Sequence, residues 1–182
     1  MLNKSVARRY AEAFFGLARE ANSIDQFQQE LELIISALDQ VPELKGYLGH
    51  LLVPVREKKE IVSQIFNGKI SQLTMNFLDM VLDKRREGYL YVIVEEYKAM
   101  ADETRNITKA DLISAKAIAD DEVQDLAGRL SASTGKTVKL NQVVDESLIG
   151  GVKLRIGDRI IDATIAKRLE MLKQQLKKVK IS

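Results

Sequence analysis

Up to residue 105 the chain carries apolar side chains at intervals of three and four, the spacing that places them on one face of an α-helix. This spacing predicts six short amphipathic helices. Pro42, Pro54, the Asn67-Gly68 pair and Gly88 stand where helices begin or end. Because each helix has one apolar face to bury, the region predicts a six-helix bundle. The stripe of the first helix is Val6, Tyr10, Ala13, Phe14, Leu17 and Ala21.

Three polar residues are predicted to cap helices. Ser23 followed by Gln26 matches a capping box, in which each side chain bonds the backbone N–H group of the other residue. Asp120 and Asp162 each come directly before an apolar periodic run. A carboxylate there can accept a hydrogen bond from the first turn, so each aspartate is predicted to cap the helix that follows.

From residue 106 onward the pattern changes to alternation. Thr108 to Ala115 alternates with the period of a half-buried strand, and so does Val152 to Ile156, which Gly157-Asp158 follows as a two-residue hairpin turn. The last helix is predicted to carry an apolar stripe on one side. The fold class is thus mainly α, a six-helix bundle over residues 1–105 and a small α+β domain over residues 106–182 that ends in a long helix. The stripe of that helix is Ile165, Leu169, Leu172, Leu176 and Val179.

The residue types that are missing exclude several kinds of chemistry. The chain has no Cys, which rules out disulfides, thiolate metal sites and a cysteine nucleophile. Its single histidine, His50, is predicted to be packed or solvent-facing rather than catalytic. The ten aromatic residues lie between Tyr10 and Tyr97, which supports two cores of different composition. No catalytic residue, metal site or cofactor is predicted.

The segment from Ser133 to Thr137 reads Ser-Thr-Gly-Lys-Thr and ends like a phosphate-binding loop. The full motif needs a glycine five residues before the Gly-Lys pair, where this chain has Leu130. A phosphate loop also joins a strand to a following helix, whereas here a helix is predicted to end and a strand to begin. The segment is therefore predicted to be a turn.

Charge is distributed unevenly along the chain. The 28 Lys and Arg residues against 26 Asp and Glu give a net charge of +2, yet residues 167–182 alone carry +5, so the rest carries −3. This basic tail leaves two interpretations open. It could bind nucleic acid or a membrane surface, or it could be the solvated side of a helix whose apolar stripe is buried, with no aromatic ring nearby to stack on bases.

The pattern predicts a soluble, intracellular protein. No apolar stretch approaches the roughly 20 residues that a membrane span needs, and charged residues interrupt any signal-like start. A start at Met1 without a transit-peptide pattern favours a bacterial protein over an imported organellar one. With no assembled chemistry, the chain is predicted to be a binding module.

Several segments resemble the delta subunit family of F-type ATP synthases, whose mitochondrial counterpart is the oligomycin-sensitivity-conferring protein. The most specific is the stretch over residues 144–158, VDESLIGGVKLRIGD, which residues 161–165, IDATI, follow. Thr164 stands where many family members have serine, which conserves a hydroxyl group. The start at residues 7–14, ARRYAEAF, is similar to the first helix of the family, and residues 56–59 and 76–78 are also comparable.

The resemblance implies a non-catalytic stator subunit without cofactors. It implies that the bundle binds the N-terminal segments of the alpha subunits and that the second domain binds the b subunits of the peripheral stalk. The expected place is the cytoplasmic face of a bacterial cell membrane, reached only through the complex. A nucleic-acid-binding adaptor that uses the basic last helix is the alternative, whereas the resemblance implies no nucleic-acid partner.

The resemblance also assigns residues. Two sets carry over: one expected to line the groove for an alpha-subunit helix, and one in the family signature that is expected to be structural. For each groove residue, spacing leaves open whether it is groove wall or core. The groove set is Tyr10, Ala13, Phe14, Leu17, Phe77, Met80 and Val81; the signature set is Asp145, Ile149, Gly150, Gly151 and Asp162.

Overall fold

The structure is a computed structural model that describes residues 4–157 and 159–179, with side-chain surroundings up to residue 176. The chain is mostly helical with one small mixed sheet of four strands. It divides into two compact units, residues 1–102 and 103–182, and each unit has its own hydrophobic core. In the described residues no helix is long and apolar enough to cross a membrane.

The first unit is built from helices. In the part of the chain that the structure describes, six α-helices and one short 3-10 helix precede the first strand. Their bounds are α1 Lys4–Glu20, α2 Ile24–Gln40, α3 Pro42–Gly49, α4 Val55–Phe66, α5 Gln72–Asp83, the 3-10 helix Glu87–Tyr89, and α6 Leu90–Thr104.

Aromatic rings form the centre of this first core. Phe14 of α1 stacks on Phe27 of α2 and on Phe77 of α5, with ring centroids 5.1 Å and 4.2 Å apart. The ring centroid of Tyr97 of α6 lies 5.7 Å from that of Phe14. The Tyr97 hydroxyl donates a hydrogen bond of 3.0 Å to the backbone oxygen of Ile24. The hydroxyl is satisfied, so the whole ring can be buried.

The second unit is an α+β arrangement. Its sheet has the strand order β2-β1-β3-β4, with β1 and β2 parallel and the other two pairs antiparallel. A parallel pair needs a crossover connection, and α7 supplies it between β1 and β2. The elements are β1 Ile107–Ser114, α7 Asp120–Thr134, β2 Thr137–Val144, β3 Val152–Ile156, β4 Arg159–Asp162 and α8 Ile165–Val179.

One face of the sheet is covered by α7. The alternation predicted for the first strand is confirmed, since Ala110, Leu112 and Ser114 are its buried residues.

The predicted hairpin is also confirmed, because Ile156 pairs with Arg159 across a two-residue loop. The turn type depends on Asp158, which lies outside the described residues. The second core comprises Ala110, Leu112, Val138 and Leu154, with Val123, Leu126 and Leu130 of α7 packed against it.

The predicted capping roles of Ser23 and Asp120 are wrong. The hydroxyl of Ser23 accepts no hydrogen bond from α2 and instead donates to the backbone oxygen of Ala21 at 3.0 Å. Asp120 is the first residue of α7 itself, while Ala119 occupies the capping position without a side-chain bond. Asp120 therefore begins the acidic first turn, where a carboxylate still favours the positive end of the helix dipole.

The apolar stripe of α8 is exposed, which contradicts the interpretation in which this stripe is buried. The side chains of Ile165, Leu169, Leu172 and Leu176 are between 44% and 69% exposed. The side chain of Val179 lies outside the described part of the chain. Amphipathic spacing predicts which side of a helix is apolar, but it does not say whether the same chain supplies a partner for that side.

Candidate partner-binding site

The seven predicted groove residues fall into two groups, and the first group is core. Phe14 and Phe77 are buried in the stacked pair that joins α1 to α5. Val81, one turn beyond Phe77, is also buried. The prediction that these three residues line a groove is therefore corrected: they lie in the core, beneath the exposed side chains of α1 and α5.

The second group lies at the surface. Tyr10 is half-buried and Ala13 is exposed on α1. Leu17 of α1 and Met80 of α5 are large apolar side chains that are 44% and 38% exposed. The spacing of 3.6 residues per turn places Tyr10, Ala13 and Leu17 on the same side of Phe14. That side is distinct from the buried face of α1, which carries Ala7, Ala11, Phe14 and Ala18.

Leu73 extends this surface, although it is not among the predicted groove residues. It is 43% exposed and lies seven residues before Met80 on α5. Seven residues are close to two helical turns, so Leu73 and Met80 share one side of α5, next to Phe77. That spacing is the signal that could have identified Leu73. The α1/α5 surface is defined as Tyr10, Ala13, Leu17, Leu73 and Met80.

A buried polar cluster fixes the start of α5. Ser71 caps this helix, and its hydroxyl accepts from the N–H group of Thr74 at 3.3 Å. Glu30 of α2 accepts hydrogen bonds from the hydroxyls of Ser71, at 2.7 Å, and Thr74. Burial raises the pKa of Glu30, but the hydrogen bonds from Thr74, Ser71 and Gln26 outweigh burial and hold it below its ordinary value of 4.5. The cluster thus holds α5 against α2 and positions Leu73.

A buried ion pair joins α4 to the 3-10 helix. The ammonium group of Lys58 pairs with Oε1 of Glu87, and both side chains are almost completely buried. Oε2 of Glu87 has no hydrogen-bond partner among the described residues. Lys58 lies in residues 56–59, one of the segments that resemble the delta subunit family. Its burial indicates a structural role, since a buried charge needs a nearby opposite charge.

The signature glycines of the second unit allow two segments of backbone to approach closely. A Cβ atom on Gly151, whose φ is +81°, would lie 2.6 Å from the backbone oxygen of Ala163. The oxygen of Gly150 accepts from the N–H group of Ile165 at 3.0 Å. Only glycine tolerates both this contact and this φ angle at Gly151, so the loop holds the beginning of α8 in place.

The signature aspartates organise turns. Oδ1 of Asp162 accepts from the N–H group and hydroxyl of Thr164 at 2.9 Å and 2.6 Å, and the Thr164 hydroxyl accepts from the N–H group of Lys167. Thr164 therefore caps α8, which corrects the prediction for Asp162. Asp145 forms the same turn with Ser147. Side-chain and backbone hydrogen bonds from Thr164 and Ser147 hold the pKa of each aspartate below its ordinary value.

Ile149 is the exception within the signature set. Its side chain is 77% exposed, next to Gly150, against which Ile165 packs. An apolar side chain this exposed contributes little to the core of its own unit. Ile149 is therefore available to a partner at the point where the exposed stripe of α8 begins.

The remaining candidate features are His50 and the segment that resembles a phosphate-binding loop. His50 is exposed after the end of α3, as one of its predicted alternatives had it. Gly135 ends α7 with a φ of +68° and β2 begins at Thr137, which confirms that the phosphate-loop-like segment is a helix-to-strand turn. Within the described ranges there is no cluster of three or more His, Asp or Glu residues that could hold a metal ion.

Comparison with known proteins shows which family the chain belongs to. A family model described as ATP synthase delta (OSCP) subunit matches residues 6–176. The chain belongs to the ATP synthase delta (OSCP) subunit family. The ATP synthase subunit delta of Syntrophomonas wolfei subsp. wolfei is 57% identical over 182 residues and that of Desulforudis audaxviator is 41% identical over 181 residues, with 100% of both chains covered in each case.

Solved structures show that the chain shares the fold of proteins in ATP synthase assemblies. A chain in the Toxoplasma gondii mitochondrial ATP synthase hexamer matches with a TM-score of 0.73 at 23% identity, covering 93% of this chain and 96% of that one. A chain of the Polytomella F-ATP synthase matches with a TM-score of 0.50 at 21% identity, covering 54% and 88%. The delta (OSCP) family membership and this fold agree.

Proposed function

We propose that this member of the delta family is a non-catalytic stator subunit of the F-type ATP synthase, which joins the catalytic head to the b subunits of the peripheral stalk. Family membership over residues 6–176 supports the role in the complex. A rotary motor needs such a joint, because an untethered head would turn with the central shaft. The proposed place is the cytoplasmic face of the bacterial membrane, held there by the complex.

The α1/α5 surface is the proposed site for the N-terminal helix of an alpha subunit. The observation that carries this assignment is that Leu17, Leu73 and Met80 remain 38–44% exposed beside the stacked pair of Phe14 and Phe77. The stacked rings join α1 to α5, and the exposed apolar side chains lie on the flanks of these two helices. An amphipathic helix placed between them would bury apolar anchors at helical spacing, a common mode of peptide recognition.

The second unit is the proposed site for the b subunits. The exposed stripe of α8 and the exposed side chain of Ile149 support this assignment, because neither is covered within the described part of the chain. Nucleic-acid binding through the basic last helix finds no support among the relatives, which are named ATP synthase subunit delta. Unchanged migration of nucleic acid in a low-salt gel-shift assay is expected.

The alpha-subunit assignment is tested by titrating the full chain with a synthetic peptide of the alpha-subunit N-terminus in a calorimeter. Saturable one-site binding is expected. Met80→Asp should weaken it by about tenfold or more, because a buried carboxylate would face the apolar side of the peptide. Gln29→Asp is the matched control, since Gln29 is exposed on α2. Failure of the native chain to bind at micromolar concentration, or equal weakening by the control, would contradict the proposal.

A further inference from the structure

A cavity of about 200 Å³ lies in the first unit, between α2, α3, the 3-10 helix and α6. Three of the side chains that line it, Leu38, Leu48 and Leu90, are buried and apolar. Gly49 and Gly88 also line it and add no side chain. An apolar cavity of roughly 150 Å³ is large enough to bind benzene. This cavity can therefore hold an organic molecule at least the size of a six-membered ring.

Glu87 provides a hydrogen-bond acceptor in the lining of this cavity. Its side chain is 9% exposed, and its Oε1 pairs with the ammonium group of Lys58. Its Oε2 is buried and has no hydrogen-bond partner among the described residues. Buried polar atoms are nearly always hydrogen-bonded, because an unbonded one carries the full cost of its desolvation. A ligand with an O–H or N–H group can satisfy this oxygen.

The surrounding charges favour a neutral donor. Lys58 already balances the charge of Glu87, so a cationic ligand would bring a second positive charge to a buried ion pair. Lys45, which also lines the cavity, adds a further cation, and its ammonium group lies 4.5 Å from the centroid of the Tyr91 ring. An anionic ligand would instead meet the carboxylate of Glu87. A hydroxyl or amide N–H group avoids both repulsions.

A water molecule fits this cavity less well than such a ligand. A buried water typically forms about three hydrogen bonds to polar groups of the protein. Besides Glu87, the lining side chains with polar atoms are those of Lys45 and Tyr91. The Tyr91 hydroxyl already donates to Oδ1 of Asp39 at 2.6 Å. The leucines make the rest of the lining apolar, which favours an organic body over solvent.

We propose that this cavity binds a small neutral molecule that has an apolar body and one hydroxyl or amide N–H group. The body contacts the three leucines, and the donor bonds to Oε2 of Glu87. The site is formed by α2, α3, the 3-10 helix and α6, so it is separate from the α1/α5 surface and from the second unit. A bound molecule stabilises the first unit, because it binds the folded chain and not the unfolded one.

Cyclohexanol is the probe and cyclohexanone is its matched control, since the two rings are similar in size but only the alcohol donates a hydrogen bond. Each is titrated into the isotope-labelled full chain while the amide chemical shifts are recorded. Cyclohexanol should give saturable shifts at Gly49, Gly88 and Tyr91, with a dissociation constant in about the millimolar range. Cyclohexanone should bind about tenfold more weakly, because it leaves Oε2 of Glu87 without a donor.

Removal of the acceptor tests the role of Glu87. The double variant Lys58→Met with Glu87→Leu removes both buried charges together, so neither is left without its partner. Its affinities for the two probes should lie within about twofold of each other. Lys59→Met with Asp83→Leu is the matched control, because it removes a neighbouring ion pair of 2.7 Å that does not line the cavity. This control should keep the preference for cyclohexanol.

Three results would overturn the inference. They are the absence of saturable shifts at the cavity amides up to the solubility limit of cyclohexanol, equal affinity of the native chain for the two probes, and an unchanged preference for cyclohexanol in Lys58→Met with Glu87→Leu. Equal affinity would mean that solvent satisfies Oε2 of Glu87. If that double variant does not fold, the two probes with the native chain still decide. No subunit peptide is involved, so failure here leaves the proposed stator function unaffected.

Discussion

Phe14 of α1 stacks on Phe77 of α5 with ring centroids 4.2 Å apart and ring planes inclined by 24°. Both rings are buried, yet each adjoins a flank of its helix that carries exposed apolar residues. Leu17 lies beside Phe14, and Met80 lies beside Phe77. The two rings thus belong to the core and support the proposed binding surface. Substitution of a buried ring is therefore expected to lower stability, whereas substitution of an exposed neighbour is expected to weaken binding with little loss of stability.

Phe77→Ala should lower the free energy of unfolding of the first unit by about 3–5 kcal/mol, because it removes a buried ring and leaves a cavity. Met80→Ala should change it by about 1 kcal/mol or less while weakening binding of the alpha-subunit peptide. Urea denaturation followed by tyrosine fluorescence measures the first unit alone, since all aromatic residues lie at or before Tyr97. Equal destabilisation by the two substitutions would contradict the assignment of Phe77 to the core and Met80 to the surface.

Gly151→Ala should destabilise the second unit by about 2 kcal/mol or more. Its new Cβ atom would meet the oxygen of Ala163 at 2.6 Å, and its φ of +81° is unfavourable for alanine. Gly128→Ala is the matched control in the same unit: it lies inside α7 with open space around its Cα atom, so alanine should stabilise by about 0.5–1 kcal/mol. Hydrogen exchange of the sheet amides measures both effects, and the signs should be opposite.

The helices and strands could be predicted because their spacing is a local property of the sequence. The buried face of α1 could not be predicted in this way, because the spacing of apolar residues favours large side chains such as Tyr10 and Leu17 for the core. The structure buries Ala7, Ala11 and Ala18 with Phe14 instead. Small residues allow α1 to lie close to its neighbours, and the larger side chains remain at the surface. The space between α1 and its neighbours determines which side of the helix is buried. That space depends on residues that are distant in sequence.

The helix caps and the α8 stripe show a second limit. Ser23 and Asp162 are residue types that cap helices, but each side chain bonds elsewhere, and Thr164 caps α8. Several polar residues near one helix end compete for the same N–H groups, and sequence alone does not rank them. The spacing of the α8 stripe identifies the apolar side of the helix, but it carries no information about which molecule covers that side.

Lys58→Met should destabilise the first unit by about 3–5 kcal/mol, because it leaves the carboxylate of Glu87 buried without its partner. The double variant Lys58→Met with Glu87→Leu removes both charges and should recover most of that loss. Tyrosine fluorescence during urea denaturation measures both variants. If the double variant is as unstable as the single one, packing of the Lys58 stem rather than the buried charge determines the cost.

The cluster around Glu30 predicts how the first unit responds to acid. The pKa of Glu30 is lowered in the folded protein, so the ionised form stabilises the fold above the ordinary value of 4.5, and this stabilisation is lost as the pH falls through the folded-state pKa. Protonation would also make the carboxyl a weaker acceptor for the hydroxyls of Ser71 and Thr74, which position α5. Binding of the alpha-subunit peptide should therefore weaken together with stability below about pH 4.5.

Glu30→Gln isolates this contribution. The variant should be less stable than the native chain at pH 7, because a neutral amide is a weaker acceptor than a carboxylate. The difference in unfolding free energy should narrow as the pH falls below about 4.5, where the native carboxylate takes up a proton. Glu20→Gln is the matched control at an exposed position of α1. Parallel stability curves for Glu30→Gln and the native chain across this range would mean that the hydrogen bonds of Glu30 do not depend on its charge.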